Sequence, residues 1–516
     1  MPSASGSWEP TGSLVKLLAW RAEERPQFGL LYVEGDGPWS VGAIAAASHR
    51  LAGRLGDAGV GTGDRVLVRL GNDERFLAAL AGVWLRGAAA IVMHPSAPGS
   101  DVIGVVASMG AVALVCDPGD RAGDEMAIPV LALARLAQGD PAPWALEVPD
   151  VADAAEALIL LTSGSTGAPK GVLLSHGNGW ANLRATVSAF RSHTAPGPLP
   201  TEPKPPNLIA NPVSHTAGVV RLLFALYVGR SVVLLRKFDA GAAKAAIDRH
   251  GIDNMTINPT MMRMLLEELD PAADLGAVRY VSSGTAPLPA ALREAFEARF
   301  GVPVLQAYGQ TEAFGGVAIE SVRDVLAGLR RPGSVGRPLP GVDLKIMGEA
   351  AEAAAGADGE VWVRSRSATT GYVGGDGGPR PVDLGGWLHT GDLGHLDADG
   401  YLYITGRLKN IIICGGFNIV PEEVEAALMA DERVREAVVV GLPDDRLGEV
   451  PVAVVEADDR PAAILGRVSP RLAPYKRPRR ILLVDHLPRV PNGKVDLRAA
   501  TAMAARAEDP VDFKNI

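Results

Sequence analysis

Between residues 14 and 330 the chain alternates helix-like segments with short apolar runs, and this rhythm restricts its fold more than any other feature. SLVKLLAWRAEER and VGAIAAASHRLAGRLGDAGV carry apolar residues at helical spacing, whereas DRVLVRL, AAAIVMH, VALVCD and SVVLL are brief and apolar. Such alternation predicts an α/β domain of mainly parallel sheets flanked by helices. From about residue 333 the pattern changes to VDLKIMG, GEVWVRS and YLYITGR, separated by glycine-rich turns, which predicts a small β subdomain over 333–405. After Gly406 mixed signals return: PEEVEAALMA reads as a helix with proline at its start, and EAVVVGL and VPVAVVE read as strands. The expected organisation is therefore a large N-terminal domain over 1–405, a hinge at 406–410 and a small mobile α+β domain over 411–516.

At 516 residues the chain exceeds what one core can serve. A net charge of -9 argues against broad neutralisation of nucleic-acid phosphates. The dense basic stretch RLAPYKRPRR, 471–480, could instead meet an anionic substrate tail. Only Cys116 and Cys414 are present, too far apart for a zinc spacing or a disulfide framework. No apolar run reaches membrane-spanning length and MPSASGSWEPTGS lacks signal-peptide character, so a cytoplasmic protein without stable membrane insertion is expected.

LTSGSTGAPKGVLLSH, 161–176, gathers Thr162, Ser163, Ser165 and Thr166 around Gly164 and Gly167, with Lys170 beyond a proline. Hydroxyls, glycine-freed N–H groups and one ammonium suit an anion with many acceptors. The apolar run ALILL precedes the loop, and a strand passing into a helix follows, the kind of junction where phosphate loops sit. The common P-loop pattern fails, because Ala168 and Pro169 separate Gly167 from Lys170, and Gly171 stands where a magnesium-binding hydroxyl would be. Different nucleotide chemistry is implied.

Six further segments follow in order: SSGTAPL at 282–288, AYGQTEAFG at 307–315, GSVGRPLPG at 333–341, GWLHTGDLG at 386–394, GRLKNIIICGGFNIVPEEVE at 406–425 and PRVPNGKVD at 488–496. With these the chain resembles the adenylate-forming superfamily of acyl-CoA synthetases, firefly-type luciferases and peptide-synthetase adenylation domains, over nearly its whole length. The resemblance implies that Thr162 to Gly167 and Lys170 hold the β- and γ-phosphates of ATP. It assigns Tyr308 to adenine stacking, Thr311 to the α-phosphate and Glu312 to magnesium, within the run Tyr308, Gly309, Gln310, Thr311, Glu312. Gly284, Thr285, Ala286 and Pro287 resemble the segment along adenine and the acyl floor. Asp392 resembles the ribose-binding acid and Arg407 the arginine that also reaches the ribose.

By the same resemblance Lys494 is the catalytic lysine, bridging the attacking carboxylate and the α-phosphate. Asn410 stands at the hinge, where relatives commonly carry aspartate or lysine. His215 resembles the aromatic gate beside the acyl carboxylate, with Ala217, Gly218, Gly309, Phe314 and Gly315 around an apolar acyl pocket. Gly415, Gly416 and Phe417 resemble the loop that approaches pantetheine, and Lys476 is a candidate neighbour of CoA phosphates. Cys414 has no adjacent base motif and reads as packing. Val495 to Arg498 replace the basic pair that often follows the lysine, and the segment before LAPYKRP is short for the family.

The implied activity is an ATP- and Mg2+-dependent carboxylic acid:CoA ligase, forming acyl-AMP and then the thioester. An aromatic, alicyclic or medium-chain acid suits the apolar residues. Alternatives left open are an adenylating enzyme that loads a separate carrier protein, a non-catalytic nucleotide-binding protein on the same scaffold, and luciferase-type oxidation. A homodimer is also left open.

Overall fold

The computed structural model describes residues 13–34, 36–120, 122, 126–136, 148–163, 169–191, 204–349, 351–374, 382–415, 417–444, 446–490, 493–507 and 511–512. Two large sheets form its body. In the first, strands Gly29–Val33, Val232–Leu234, Asn207–Ile209, Asn254–Thr256, Tyr280–Ser283 and Val304–Gln310 run parallel, with antiparallel strands at both edges. In the second, Glu156–Ser163, Ala89–Val92, Arg65–Arg69, Ala111–Cys116 and Val130–Ala132 run parallel, and Pro169–Ser175 turns back antiparallel.

Both sheets are covered on both faces, which explains their continuous apolar runs. Val66 and Val68 enter the central core with Leu158, Leu160, Ile209 and Leu234, whereas the alternate residues Leu67 and Ile159 enter an outer cluster. Helices Val41–Asp57, His176–Arg191 and Thr216–Val228 supply Leu51, Leu183 and Leu222 to the same central core, and so lie between the sheets. Helices Ala240–His250, Pro259–Glu268 and Ala290–Phe300 cover the opposite face of the first sheet through Ile247, Met262 and Phe296.

The segment after residue 333 contributes an antiparallel sheet of Val342–Met347, Gly359–Ser365, Leu388–Leu396 and Leu402–Arg407. It is not self-contained: Arg337–Pro338 joins the first large sheet and Gly371–Val373 the second. A mixed sheet beyond Ile412 builds the C-terminal part, with its own core around Val424, Val439, Val454 and Ile481. Among the described residues no helix is long and apolar enough to cross a membrane.

The expected order of strand, loop and strand passing into a helix is met: Glu156–Ser163 and Pro169–Ser175 pair antiparallel as far as Ser163 and Pro169, and helix His176–Arg191 follows. The helix begins at His176, directly after the second strand.

Candidate active site

The site residues collect where the parallel strands of the first sheet end, the position at which open α/β sheets hold ligands. Val304–Gln310 delivers Tyr308 and Gln310, then a 3-10 turn carries Thr311 and Glu312 and the chain folds back as Gly315–Ile319. Gly309 makes the reversal possible, since a Cβ there would lie 2.0 Å from the Gly315 carbonyl oxygen. The Tyr308 hydroxyl donates to Asp392 Oδ2 at 2.6 Å, and Arg407 Nε sits 2.7 Å from Asp392 Oδ1. Asp392 and Arg407 are register partners on neighbouring antiparallel strands, which fixes the pair. Burial, then the Asp392 carboxylate, hold the Tyr308 phenol well above its ordinary pKa, so it remains a donor.

The neighbouring strand Tyr280–Ser283 ends at Gly284, close against the Ala307 carbonyl, and Thr285 follows with φ 72°. A β-branched residue in the left-handed region stores strain at this edge. Ser283 Oγ, Ser214 Oγ and Gln310 Nε2 are buried without a hydrogen-bond partner. Ala286 is partly buried and Pro287 exposed in the same stretch.

Lys170 Nζ lies 3.3 Å from the ring centroid of Tyr372, whose hydroxyl donates to Glu312 Oε1 at 3.2 Å. Tyr372, missed from sequence, thereby connects the phosphate-loop lysine to the magnesium candidate. Its strand pairs with Pro169–Ser175, a contact over 190 residues that no local pattern reports. Burial, then Glu312, raise its phenol pKa. Thr162 Oγ1 donates to the Lys170 carbonyl at 3.3 Å. Gly164, Ser165, Thr166 and Gly167 lie outside the described residues, as does the side chain of Ser163.

On the acyl side, His215 caps helix Thr216–Val228 and its ring is pushed down to about 4 by burial, then by Lys494 and His94. It is neutral at physiological pH. Asn72, also missed, holds the turn before it: Nδ2 donates to the Asn211 and Leu235 carbonyls, and Oδ1 accepts from Val213 N at 2.7 Å. Thr216 Oγ1 and Thr311 Oγ1 share a hydrogen bond of 2.8 Å. Ala217 remains partly open.

Two acyl-pocket expectations are corrected. Phe314, with φ 54°, turns away from the cleft into the central core and is fully buried, its ring tip near Gly179. Gly218 faces the preceding turn, where a Cβ would stand 2.3 Å from the Pro212 carbonyl oxygen. Gly315 instead lies beside Val220 of the helix.

The C-terminal part reaches the same place. Lys494 is exposed as a residue, yet desolvation and then Arg407 lower the pKa of its ammonium, with Asp392 and Lys409 also near. Lys409 is lowered by burial and Arg407, and feels Asp392 and Glu312. The Gly493 carbonyl accepts from Thr260 Oγ1 at 3.0 Å and from Arg489 Nη1 at 2.8 Å, and Arg489 also pairs with Glu436. Arg263 Nη1 donates to the Arg435 carbonyl at 2.7 Å. Helix Pro259–Glu268 of the large body thus docks the lysine loop.

Asn410 Nδ2 donates to Glu422 Oε1 at 3.4 Å, and Gly406 packs so tightly that a Cβ would meet Val420 Cγ1 at 2.4 Å. Gly415 adopts φ 59° beside Leu447. Phe417 is 55% exposed and stacks on Tyr475 at 4.6 Å, while Lys476 Nζ pairs with Glu423 Oε1 at 2.7 Å. Gly416 lies outside the described residues.

Thr260→Val removes two hydrogen bonds to the lysine loop, one given to the Gly493 carbonyl and one accepted from Arg489 Nη1, a net cost of about 1 kcal/mol because Arg489 Nη1 still donates to that carbonyl. Adenylation should slow about fivefold while thioester formation from supplied acyl-adenylate holds; pyrophosphate exchange measured beside CoA-dependent turnover checks this, and equal slowing of both steps would refute the docking role.

Lys170, Arg407, Lys409 and Lys494 set against Glu312 and Asp392 give the cleft a cationic excess that suits a polyphosphate. Among the described residues no group of three or more His, Cys, Asp or Glu side chains could hold a metal. One carboxylate, Glu312, nevertheless fits magnesium, which commonly takes one or two protein carboxylates beside phosphate oxygens and water.

The chain matches the family model described as AMP-binding enzyme over residues 18–373, and that of the AMP-binding enzyme C-terminal domain over residues 423–494. It is 34% identical over 505 residues to a sulfoacetate–CoA ligase of Cupriavidus necator, covering 94% of this chain and 96% of that one. Identity to a 2-succinylbenzoate–CoA ligase of Bacillus cereus is 31% over 441 residues, 85% of this chain and 88% of the relative. The o-succinylbenzoate CoA synthetase (MenE) of Bacillus subtilis, solved with its acyl-adenylate intermediate, gives a TM-score of 0.80 at 26% identity, covering 96% of this chain and 98% of that one. The same enzyme has been solved with ATP and a magnesium ion. This chain belongs to the AMP-binding enzyme family, in its acyl- or aryl-CoA ligase branch.

Proposed function

We propose that the protein is an ATP-dependent carboxylic acid:CoA ligase, and that the residues gathered above carry its two half-reactions. The carrying observation is that Lys494, from the C-terminal part, stands among Arg407, Asp392, Lys409 and His215 of the nucleotide and acyl sites. In the first half-reaction a carboxylate oxygen bonds to the α-phosphorus of ATP and the bond to pyrophosphate breaks, giving acyl-AMP. Lys494 lowers the repulsion between the two anions, and Thr311 donates to the α-phosphate. Glu312 would hold magnesium, which supplies neutralisation of phosphate charge when bound. Lys170 and the flanking loop hold the leaving pyrophosphate. Tyr308, Asp392 and Arg407 hold the nucleoside.

In the second half-reaction the CoA thiol sulfur bonds to the acyl carbon, AMP leaves and the thiol proton goes to solvent. We assign 1–405 to the large domain, 406–410 to the hinge and 411–516 to the moving domain. Asn410 tethered to Glu422 and Gly406 packed on Val420 support a pivot there. Turning about it would withdraw Lys494 and present Gly415 to Phe417, with Lys476 nearby for CoA phosphates. The relatives' names support CoA as acceptor, and both act on acids with a second acidic group. A cytoplasmic setting fits ATP and CoA as co-substrates.

AMP and pyrophosphate release, assayed over a panel of acids with ATP, magnesium and either CoA or a carrier protein, tests this reading. Acid-dependent release with thioester on CoA is expected; release with transfer only to the carrier would favour the loading enzyme, and none with any acid would refute catalysis.

Two buried imidazoles make stability pH-dependent. Burial pushes both His176 and His215 down to about 4, whereas an unfolded histidine titrates near 6.5. The unfolded chain therefore binds more protons between about 6.5 and 4, and stability falls as pH drops through that window. Urea midpoints at pH 7 and pH 5 should differ in that direction, with a smaller difference in His176→Gln.

A further inference from the structure

We propose that Arg221 is the counter-charge for a second anionic group on the acid substrate, so that the protein activates an acid bearing a distal carboxylate or sulfonate. The inference deepens the ligase reading and rests on it.

Helix Thr216–Val228 buries Gly218, Val219, Leu222, Leu223 and Leu226, while Thr216, Ala217, Val220, Arg221 and Phe224 remain partly open at helical spacing. The upper end of this stripe belongs to the site, because Thr216 bonds Thr311 and Val220 faces Gly315. At 1.5 Å per residue Arg221 lies about 9 Å along the axis from His215. A ring or a short chain spans that separation.

The opposite wall comes from the sheet. Val281 points into the outer core, so Tyr280 and Ser282, alternate on the same strand, point toward the helix. The Tyr280 phenol is the one electrostatic partner of Arg221 among the described residues, and burial raises the phenol's pKa, so it stays neutral. Desolvation is the larger influence on Arg221 and lowers its pKa. A guanidinium remains charged even so. Removing a charge from water without a counter-ion is costly, and a carboxylate or sulfonate entering the cleft offsets that cost with bidentate geometry. The apolar stripe of Ala217 and Val220 therefore ends on a cationic floor.

The test uses the purified full chain with ATP, magnesium and CoA, reading pyrophosphate release for size-matched short aliphatic and aryl acids with and without a distal carboxylate or sulfonate. Wild type should favour the doubly anionic member of each pair at least about tenfold in kcat/KM. Arg221→Met should lower kcat/KM for those acids about 100-fold, mainly through KM, and leave neutral-tailed acids within about threefold. Arg221→Lys should retain part of the preference. A wild-type preference for neutral tails, or equal loss for both classes in Arg221→Met, overturns the inference and leaves the ligase reading standing. Should Arg221→Met not fold, Arg221→Lys and the wild-type panel decide. No release with any acid would sink both.

Discussion

Lys494→Ala should slow acyl-adenylate formation on the order of 10²–10³-fold, the usual cost of removing one preorganised charge from a transition state. The ammonium stands within the field of Arg407 and Lys409 as well as Asp392, so like charges already crowd it. Such crowding is tolerable in a cleft built for the negative charge of a triphosphate and a carboxylate. The readout is a contrast between steps. Pyrophosphate exchange should collapse, whereas thioester formation from supplied acyl-adenylate should change less than about tenfold, because the proposed turn about the hinge withdraws the lysine before that step. Equal losses in both steps would contradict the assignment.

Asp392→Ala should combine a binding defect with a stability defect. The carboxylate is 1% exposed and accepts from the buried Tyr308 hydroxyl at 2.6 Å, whereas its partner Arg407 has a side chain 46% exposed. The half-exposed ion pair contributes little, so the orphaned phenol dominates, at about 2 kcal/mol. KM for ATP should rise at least about tenfold, through lost ribose contacts and a loosened tyrosine. Asp392→Asn should recover much of the stability and less of the ATP affinity. Chemical denaturation beside ATP titration separates the two; unchanged KM in Asp392→Ala would remove Asp392 from the nucleotide site.

The strands were legible because both sheets are covered on both faces, so runs such as AAAIVMH and VALVCD betray them without help from distant residues. Segments with dense polar and glycine content, AYGQTEAFG and GWLHTGDLG, likewise advertised themselves. What escaped is what depends on pairing far along the chain. Tyr372 gains its place only when Gly371–Val373 joins the hairpin strand Pro169–Ser175. Thr260 touches Gly493 only once the lysine loop has docked. Phe314 looked like pocket lining because it follows the YGQTE run, but a single positive φ sends its ring into the core. Arg221 sits one step beyond Val220 in an apolar helix, and periodicity cannot say which face the cleft leaves open.

The 2.8 Å hydrogen bond between the Thr216 and Thr311 hydroxyls joins the helix Thr216–Val228 to the turn that carries Glu312. Either hydroxyl can be the donor, so a ligand that fixes the direction on one side also sets what the other side can offer. Whatever coupling this contact carries between acid and ATP is reciprocal, because linkage requires each to change the other's affinity by the same factor.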